Sequence, residues 1–204
     1  MSSSAGIVPD RLPRCPWSAA GQEMLTYHDT EWGFPVDSDQ RLFEKLCLES
    51  FQSGLSWRTI LNKRQAFRSA FEDFNIAVVA RFNDDDAARL VQDASIVRNR
   101  RKIAAVINNA RAAERLIERE GSLAAFVWSY EPPAEQTDPP QTVSISPASS
   151  AMAKELKRRG WAFLGPTTVF AFMESMGLLN DHTYDCVIRP AVDAARSDFV
   201  RPSR

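Results

Sequence analysis

"NRRKIAAVINNARAAERLIEREG", residues 99–121, decides the fold. Ile103, Val106, Ile107, Ala110, Ala113 and Ile117 recur at helical spacing and share one face. Asn99 stands where an N-cap belongs, and Gly121 where a long helix stops. The flanking sequence follows the same rule. "NDDDAARLVQDA" (83–94) opens on cap-like Asn83, with acids in a first turn where the helix dipole favours them. In "DSDQRLFEKLCLE" (37–49), Asp37 is the expected N-cap, with Gln40 at capping-box spacing. Leu42, Phe43, Leu46 and Cys47 then repeat helically. "RQAFRSAFEDF" (64–74), "SLAAFVWSY" (122–130), "SSAMAKELKRRG" (149–160) and "GPTTVFAFMESMG" (165–177) read as further helices. "EPPAEQTDPPQTVSISP" (131–147) is proline-rich and aperiodic, hence a long loop or crossover. No two-residue hairpin turn separates alternating strands, and no segment repeats. The pattern predicts an all-α protein of about eight helices.

Composition bounds the rest. The 204 residues are 44% apolar and 25% charged, as in an ordinary globular protein. We expect one domain over 14–190, with flexible tails at 1–13 ("MSSSAGIVPDRLP") and 191–204. No apolar run reaches the ~20 residues of a membrane span. No signal peptide opens the chain. Three cysteines argue against a disulfide framework and for the cytoplasm. The net charge of −1 does not announce a nucleic-acid binder. Cations nevertheless cluster in "VRNRRK" (97–102) and "KELKRRGW" (154–161), as a solvated face or a binding surface.

"NDHTYDC" (180–186) places His182 four residues before Cys186. On a helix the two would share a face and supply half of a tetrahedral zinc site. The other histidine, His28, follows Cys15 by thirteen residues. Together the four would complete a Cys2His2 set. The other reading is that they are unrelated buried residues, since the Cys15–His28 spacing matches no compact zinc finger. Four ligands would leave no open position, so the metal would be structural.

"RCPW", "YHDTEWGFP", "LFEKLCLESFQSGLSW", "LVQDASIVRNRRKIAAVINNAR", "LKRRGWAFLGPTTVFAFME" and "GLLNDHTYDC", in this order, closely resemble the DNA-3-methyladenine glycosylase I family. The resemblance runs from Cys15 to Cys186 and weakens across the proline-rich loop. It implies an all-helical fold of the helix-hairpin-helix superfamily, with the hairpin near 84–119. It also implies a structural zinc ion on Cys15, His28, His182 and Cys186, joining the N- and C-terminal segments. The implied activity is base-excision repair: hydrolysis of the N-glycosidic bond of 3-methyladenine in alkylated double-stranded DNA. The enzyme is expected to be a cytoplasmic monomer with no membrane or evident protein partner.

Such an enzyme must flip the damaged nucleotide out of the stack. An aromatic cage suits a cationic base, because its π faces attract positive charge. Tyr27, Trp32 and Trp57 either form that cage, as the resemblance implies, or are core aromatics. Glu49 falls on the apolar face of its helix, so it pairs with a cation or lines a pocket. The resemblance makes it the residue that accepts hydrogen bonds from the flipped base. Arg98, Arg100, Arg101 and Lys102, with backbone N–H groups of the second hairpin helix, are expected to hold phosphate. Lys102 is also the lysine nearest to hand for a Schiff base, a reading we set below phosphate contact. Leu55 in "GLSW" is the expected wedge. No general-base aspartate is evident in the motifs.

The chain departs from the family pattern at Met24, Ser50 and Phe51, and at Ser95 and Arg101, where hairpin glycines stand. Met24 and Phe51 are expected to border the pocket. Ser95 is expected to weaken the phosphate grip if its position needs positive φ. These departures keep open a glycosylase for a different alkylated base. Two further alternatives are a non-catalytic DNA-damage-binding protein and, less favoured, a zinc hydrolase.

Overall fold

Serine and asparagine caps divide the chain into helices. In a computed structural model, which describes residues 12–203, a short 3-10 turn at Pro16–Ala20 leads into ten α-helices. These are α1 (Gln22–Thr30), α2 (Asp39–Gln52), α3 (Trp57–Ala70), α4 (Ile76–Val79), α5 (Asp84–Gln92), α6 (Arg100–Glu120), α7 (Leu123–Trp128), α8 (Pro147–Arg158), α9 (Pro166–Ser175) and α10 (Arg189–Asp198). No strand occurs among the described residues. From α2 to α8 every helix opens on a Ser or Asn whose side chain accepts a first-turn N–H. Each such cap contributes about 1 kcal/mol. Asn83 forms a full capping box with Asp86, and Gly121 ends α6 at φ 87°. The α2 cap is Ser38 and not Asp37: Ser38 Oγ accepts from Arg41 N.

The main core is built on phenylalanine. Phe43, Phe51, Phe67, Phe71, Phe74, Phe126 and Phe172 are fully buried, from helices spread over the whole chain. A second, smaller core gathers Cys15, Met24, Tyr27, Trp32, Leu61 and Cys186. Trp57 packs against both cores. The candidate site described below lies where they meet.

The expected tail at 191–204 belongs to the fold. Residues 189–198 form α10, whose Val192 is fully buried. Arg196 and Arg201 both pair with Glu131 at 2.9 Å, and Phe199 packs on Trp128 with ring centroids 4.5 Å apart. Sparse apolar content hid this segment, because its anchoring is largely by arginine. Most of the other tail, 1–11, lies outside the described residues.

Residues 93–99 join α5 to α6. Ser95 does not have positive φ, so no glycine is needed there. Asp93 Oδ1 accepts from its backbone N–H at 2.8 Å and its hydroxyl at 2.5 Å, and Lys63 donates to its carbonyl. Lys102 departs from expectation. Its side chain is buried, and its ammonium donates to the carbonyls of Phe51 (2.7 Å) and Ser53 (2.6 Å). It therefore caps the C-terminal end of α2, where carbonyls lack helical partners and positive charge is favoured. It is presented neither to a phosphate nor to a sugar carbonyl.

Lys102→Met should therefore behave as a core lesion. Two charge-assisted hydrogen bonds vanish, and stability should fall by about 2 kcal/mol, seen as a lower urea midpoint with an unchanged slope. Arg98→Ala, at an exposed position, should leave the midpoint nearly in place.

Candidate functional site

Helix α1 places Tyr27 and His28 side by side, and the "EWGFP" turn after it brings Trp32 back over them. Their neighbours come from the far end of the chain. Cys15, His28, His182 and Cys186 are all buried, with ligand atoms within 4.8 Å of one another. Cys15 Sγ lies 3.6 Å and Cys186 Sγ 3.3 Å from His182 Nδ1. His28 Nε2 lies 3.2 Å from His182 Nδ1 and 3.5 Å from Cys186 Sγ. A tetrahedral zinc with ordinary Zn–S and Zn–N bonds would give edges of roughly 3.3–3.8 Å.

The outer nitrogens also fit a metal. His28 Nδ1 donates to Asp29 at 2.7 Å, and His182 Nε2 donates to the Trp32 carbonyl at 3.1 Å. Each ring thus keeps its proton outside and turns a lone pair inward, as a ligating imidazole must. Burial pushes His182 down to about 4, which keeps it neutral, and pushes the Cys15 thiol up to about 11. Thiolate formation there therefore calls for a bound cation. The group can hold a metal ion.

The four-residue spacing of His182 and Cys186 is not helical. His182 sits at a bend and Cys186 just after a turn at 184–185, with Cys186 N bonded to Thr183 O at 3.0 Å. Gly33 (φ 88°) makes room for the cluster, since a Cβ there would lie 3.2 Å from His182 Nε2.

Beside this cluster opens a cavity of about 380 Å³. Tyr27, Trp32, Trp57 and Glu49 all line it, so the aromatics and the carboxylate singled out in the sequence converge. Tyr27 and Trp57 lie 5.2 Å apart, ring to ring. Met24 is at the wall as expected. Phe51 is not: it is in the main core, 4.6 Å from the Phe67 ring. Ser50 is also buried, its hydroxyl bonded to the Cys47 carbonyl at 2.7 Å. Those two departures do not reach the cavity wall. The proline-rich loop supplies Gln141, Val143 and Ser144 to the wall, and Gln141 N donates to the Asp181 carboxylate at 3.0 Å.

Three lining groups escaped the sequence reading. Lys45 stands one turn before Glu49 and pairs with it at 2.8 Å. It donates to the Tyr27 hydroxyl at 2.7 Å and lies 3.3 Å from the Trp57 ring centroid. A signal was present, because Lys45, Glu49 and Gln52 form one helical stripe. Glu174 and Asp181 are the other two. Burial and the adjacent Asp181 carboxyl push Glu174 up to about 10, so the pair shares a proton at neutral pH.

Leu55 is exposed on the turn between α2 and α3, beside the wall residues Gln52 and Trp57. Arg98, Arg100 and Arg101 are exposed at the start of α6. The Asn99 side chain already accepts the backbone N–H groups of Arg101 and Lys102. An anion there would meet chiefly the arginine side chains, and the expected backbone grip is largely taken.

The family profile described as methyladenine glycosylase matches residues 17–189. DNA-3-methyladenine glycosylase 1 of Escherichia coli (strain K12) is 42% identical over 183 residues, spanning 88% of this chain and 98% of its own length. The DNA-3-methyladenine glycosylase of Haemophilus influenzae is 40% identical over 85% of this chain and 96% of its own. The crystal structure of a variant 3-methyladenine DNA glycosylase I in complex with 3-methyladenine superposes with a TM-score of 0.79. It is 35% identical and covers 86% of this chain and 97% of that one.

Cys186→Ser should lose bound metal and melt at a lower temperature, because the cluster closes a link between segments more than 150 residues apart. Chelation of the purified protein should lower the melting temperature in the same direction. Elemental analysis with a thermal melt checks both. Wild-type metal content and melting temperature in Cys186→Ser would remove the metal reading.

Proposed function

The chain belongs to the methyladenine glycosylase family, and we propose from this that it hydrolyses the N-glycosidic bond of 3-methyladenine in alkylated DNA as a monofunctional base-excision repair enzyme. The observation that carries the reading is the convergence of Tyr27, Trp32, Trp57 and Glu49 on one cavity. Aromatic faces there can stack on a flipped base, and the Glu49 carboxylate can accept from its exocyclic amine. The N-glycosidic bond of a cationic base is already weakened, and the sugar develops oxocarbenium character as the bond breaks. Binding and flipping an already activated base then does most of the work. Water completes the hydrolysis at C1′.

The remaining roles are assigned on position. Leu55 is the wedge that enters the stack as the base leaves it, an exposed apolar side chain at the cavity mouth. Helices α5 and α6 with residues 93–99 act as a helix-hairpin-helix, and Arg98, Arg100 and Arg101 neutralise backbone phosphates without reading sequence. The metal is zinc, and Cys15, His28, His182 and Cys186 would hold it. When bound it supplies structure, since four protein ligands leave no position for substrate. Among the described residues no helix is long and apolar enough to cross a membrane. We place the protein in the cytoplasm as a monomer, where its three cysteines stay reduced.

Release of free 3-methyladenine from methylated DNA, identified by chromatography, is the deciding assay. No release by folded, metal-loaded protein would sink the reading. Glu49→Gln should cut the release rate roughly ten- to a hundredfold, the effect of one charge-assisted hydrogen bond expressed in the transition state. Metal content and affinity for an abasic-site analogue should stay near wild type in that variant.

A further inference from the structure

The cavity holds a basic side chain of its own, whose pKa burial lowers and the adjacent Glu49 carboxylate raises. The Lys45 side chain is 7% exposed. Its ammonium is 3.3 Å from the Trp57 ring centroid and 5.0 Å from that of Tyr27. It also bonds Glu49 Oε1 at 2.8 Å and the Tyr27 hydroxyl at 2.7 Å. Two features attract a positively charged base to such a cavity: electron-rich rings and an unneutralised carboxylate. Lys45 already engages both. The other acidic groups at the wall, Glu174 and Asp181, are paired with each other.

We propose that Lys45 is a specificity-determining residue, a resident cation that weakens the pocket's preference for positively charged bases and admits neutral alkylated purines. The inference rests on the reading of this cavity as the base pocket. A cationic base entering it must displace the ammonium from Trp57 or accept like-charge repulsion at close range. A neutral purine meets neither penalty, and the ammonium can donate to its ring nitrogens or carbonyl. In a partly buried site, one like charge at about 5 Å changes affinity on the order of tenfold or more.

The test uses two ligands of one shape. The permanently cationic 3,9-dimethyladeninium is compared with its neutral 3-deaza isostere at several pH values from neutral upward, because burial lowers the Lys45 pKa and the comparison must be made where its ammonium persists. Dissociation constants come from quenching of tryptophan fluorescence in wild type, Lys45→Met and Lys45→Arg. Methionine keeps the length and loses the charge; arginine keeps the charge. The preference for cation over isostere should rise about tenfold or more in Lys45→Met and stay near wild type in Lys45→Arg.

An unchanged preference in folded Lys45→Met overturns the proposal. If that variant does not fold, wild type decides: a preference near unity supports the role, and one above about a hundredfold overturns it. Release of 3-methyladenine from methylated DNA is measured on the same preparations. Release with an unchanged preference overturns the role of Lys45 alone. No release by wild type overturns the glycosylase reading and this inference with it.

Discussion

The hydrogen bond from His182 Nε2 to the Trp32 carbonyl, 3.1 Å long, joins the Cys/His cluster to the wall of the aromatic cavity. It fixes the ring so that Nδ1 points at Cys15, Cys186 and His28. It also holds Trp32, whose indole packs edge-on against the His182 ring at 4.6 Å. Tyr27, next to His28 in α1, is positioned by the same cluster from the other side. Two of the three cavity aromatics therefore depend on a contact between chain segments about 150 residues apart. Trp57, the third, hangs from α3 and touches both cores, so it carries alignment from the main body into the pocket.

A second tie works at the C-terminal end of α2. Lys102 draws the start of α6 onto the last carbonyls of α2. The arginines at the start of α6 and the exposed Leu55 thus sit on two ends of one buried joint. Under the proposed function, a surface that grips a backbone and a side chain that enters the stack would be useful only in fixed register. The joint supplies that register without touching either contact.

Much of this was legible beforehand, and the failures share a cause. Asn83, Asn99 and Gly121 could be read because caps and stops act locally. Glu49 could be read because its phase on α2 set it among apolar neighbours. His182 and Cys186 were paired correctly but assigned the wrong backbone, since a turn brings residues four apart together as well as a helix does. Lys102 was misread and Lys45 passed over for one reason: lysine is read as surface unless something shows that its helix face is covered. Which face is covered depends on the partner helix, and that information lies far away in sequence. Phe51 failed in the opposite sense, an aromatic near a predicted pocket that packs behind it. The α10 segment was missed because its anchoring is ionic, through Arg196 and Arg201 to Glu131, and leaves little apolar periodicity.

The cluster also imposes an order of assembly. Cys15 and His28 are made early and His182 and Cys186 late, so the tetrad cannot close while the intervening helices are being synthesised. Closing it before those helices pack would cost the entropy of a very long loop. During synthesis Trp32 lacks the His182 donor that holds its carbonyl, and Tyr27 lacks its fixed neighbour. The nascent chain can therefore form most of its phenylalanine core, including α6 and its arginines, before its aromatic cavity is complete. Under the proposed function, competence to recognise damage would arrive in one late step, and until then the chain would carry a basic surface with nowhere to place a base.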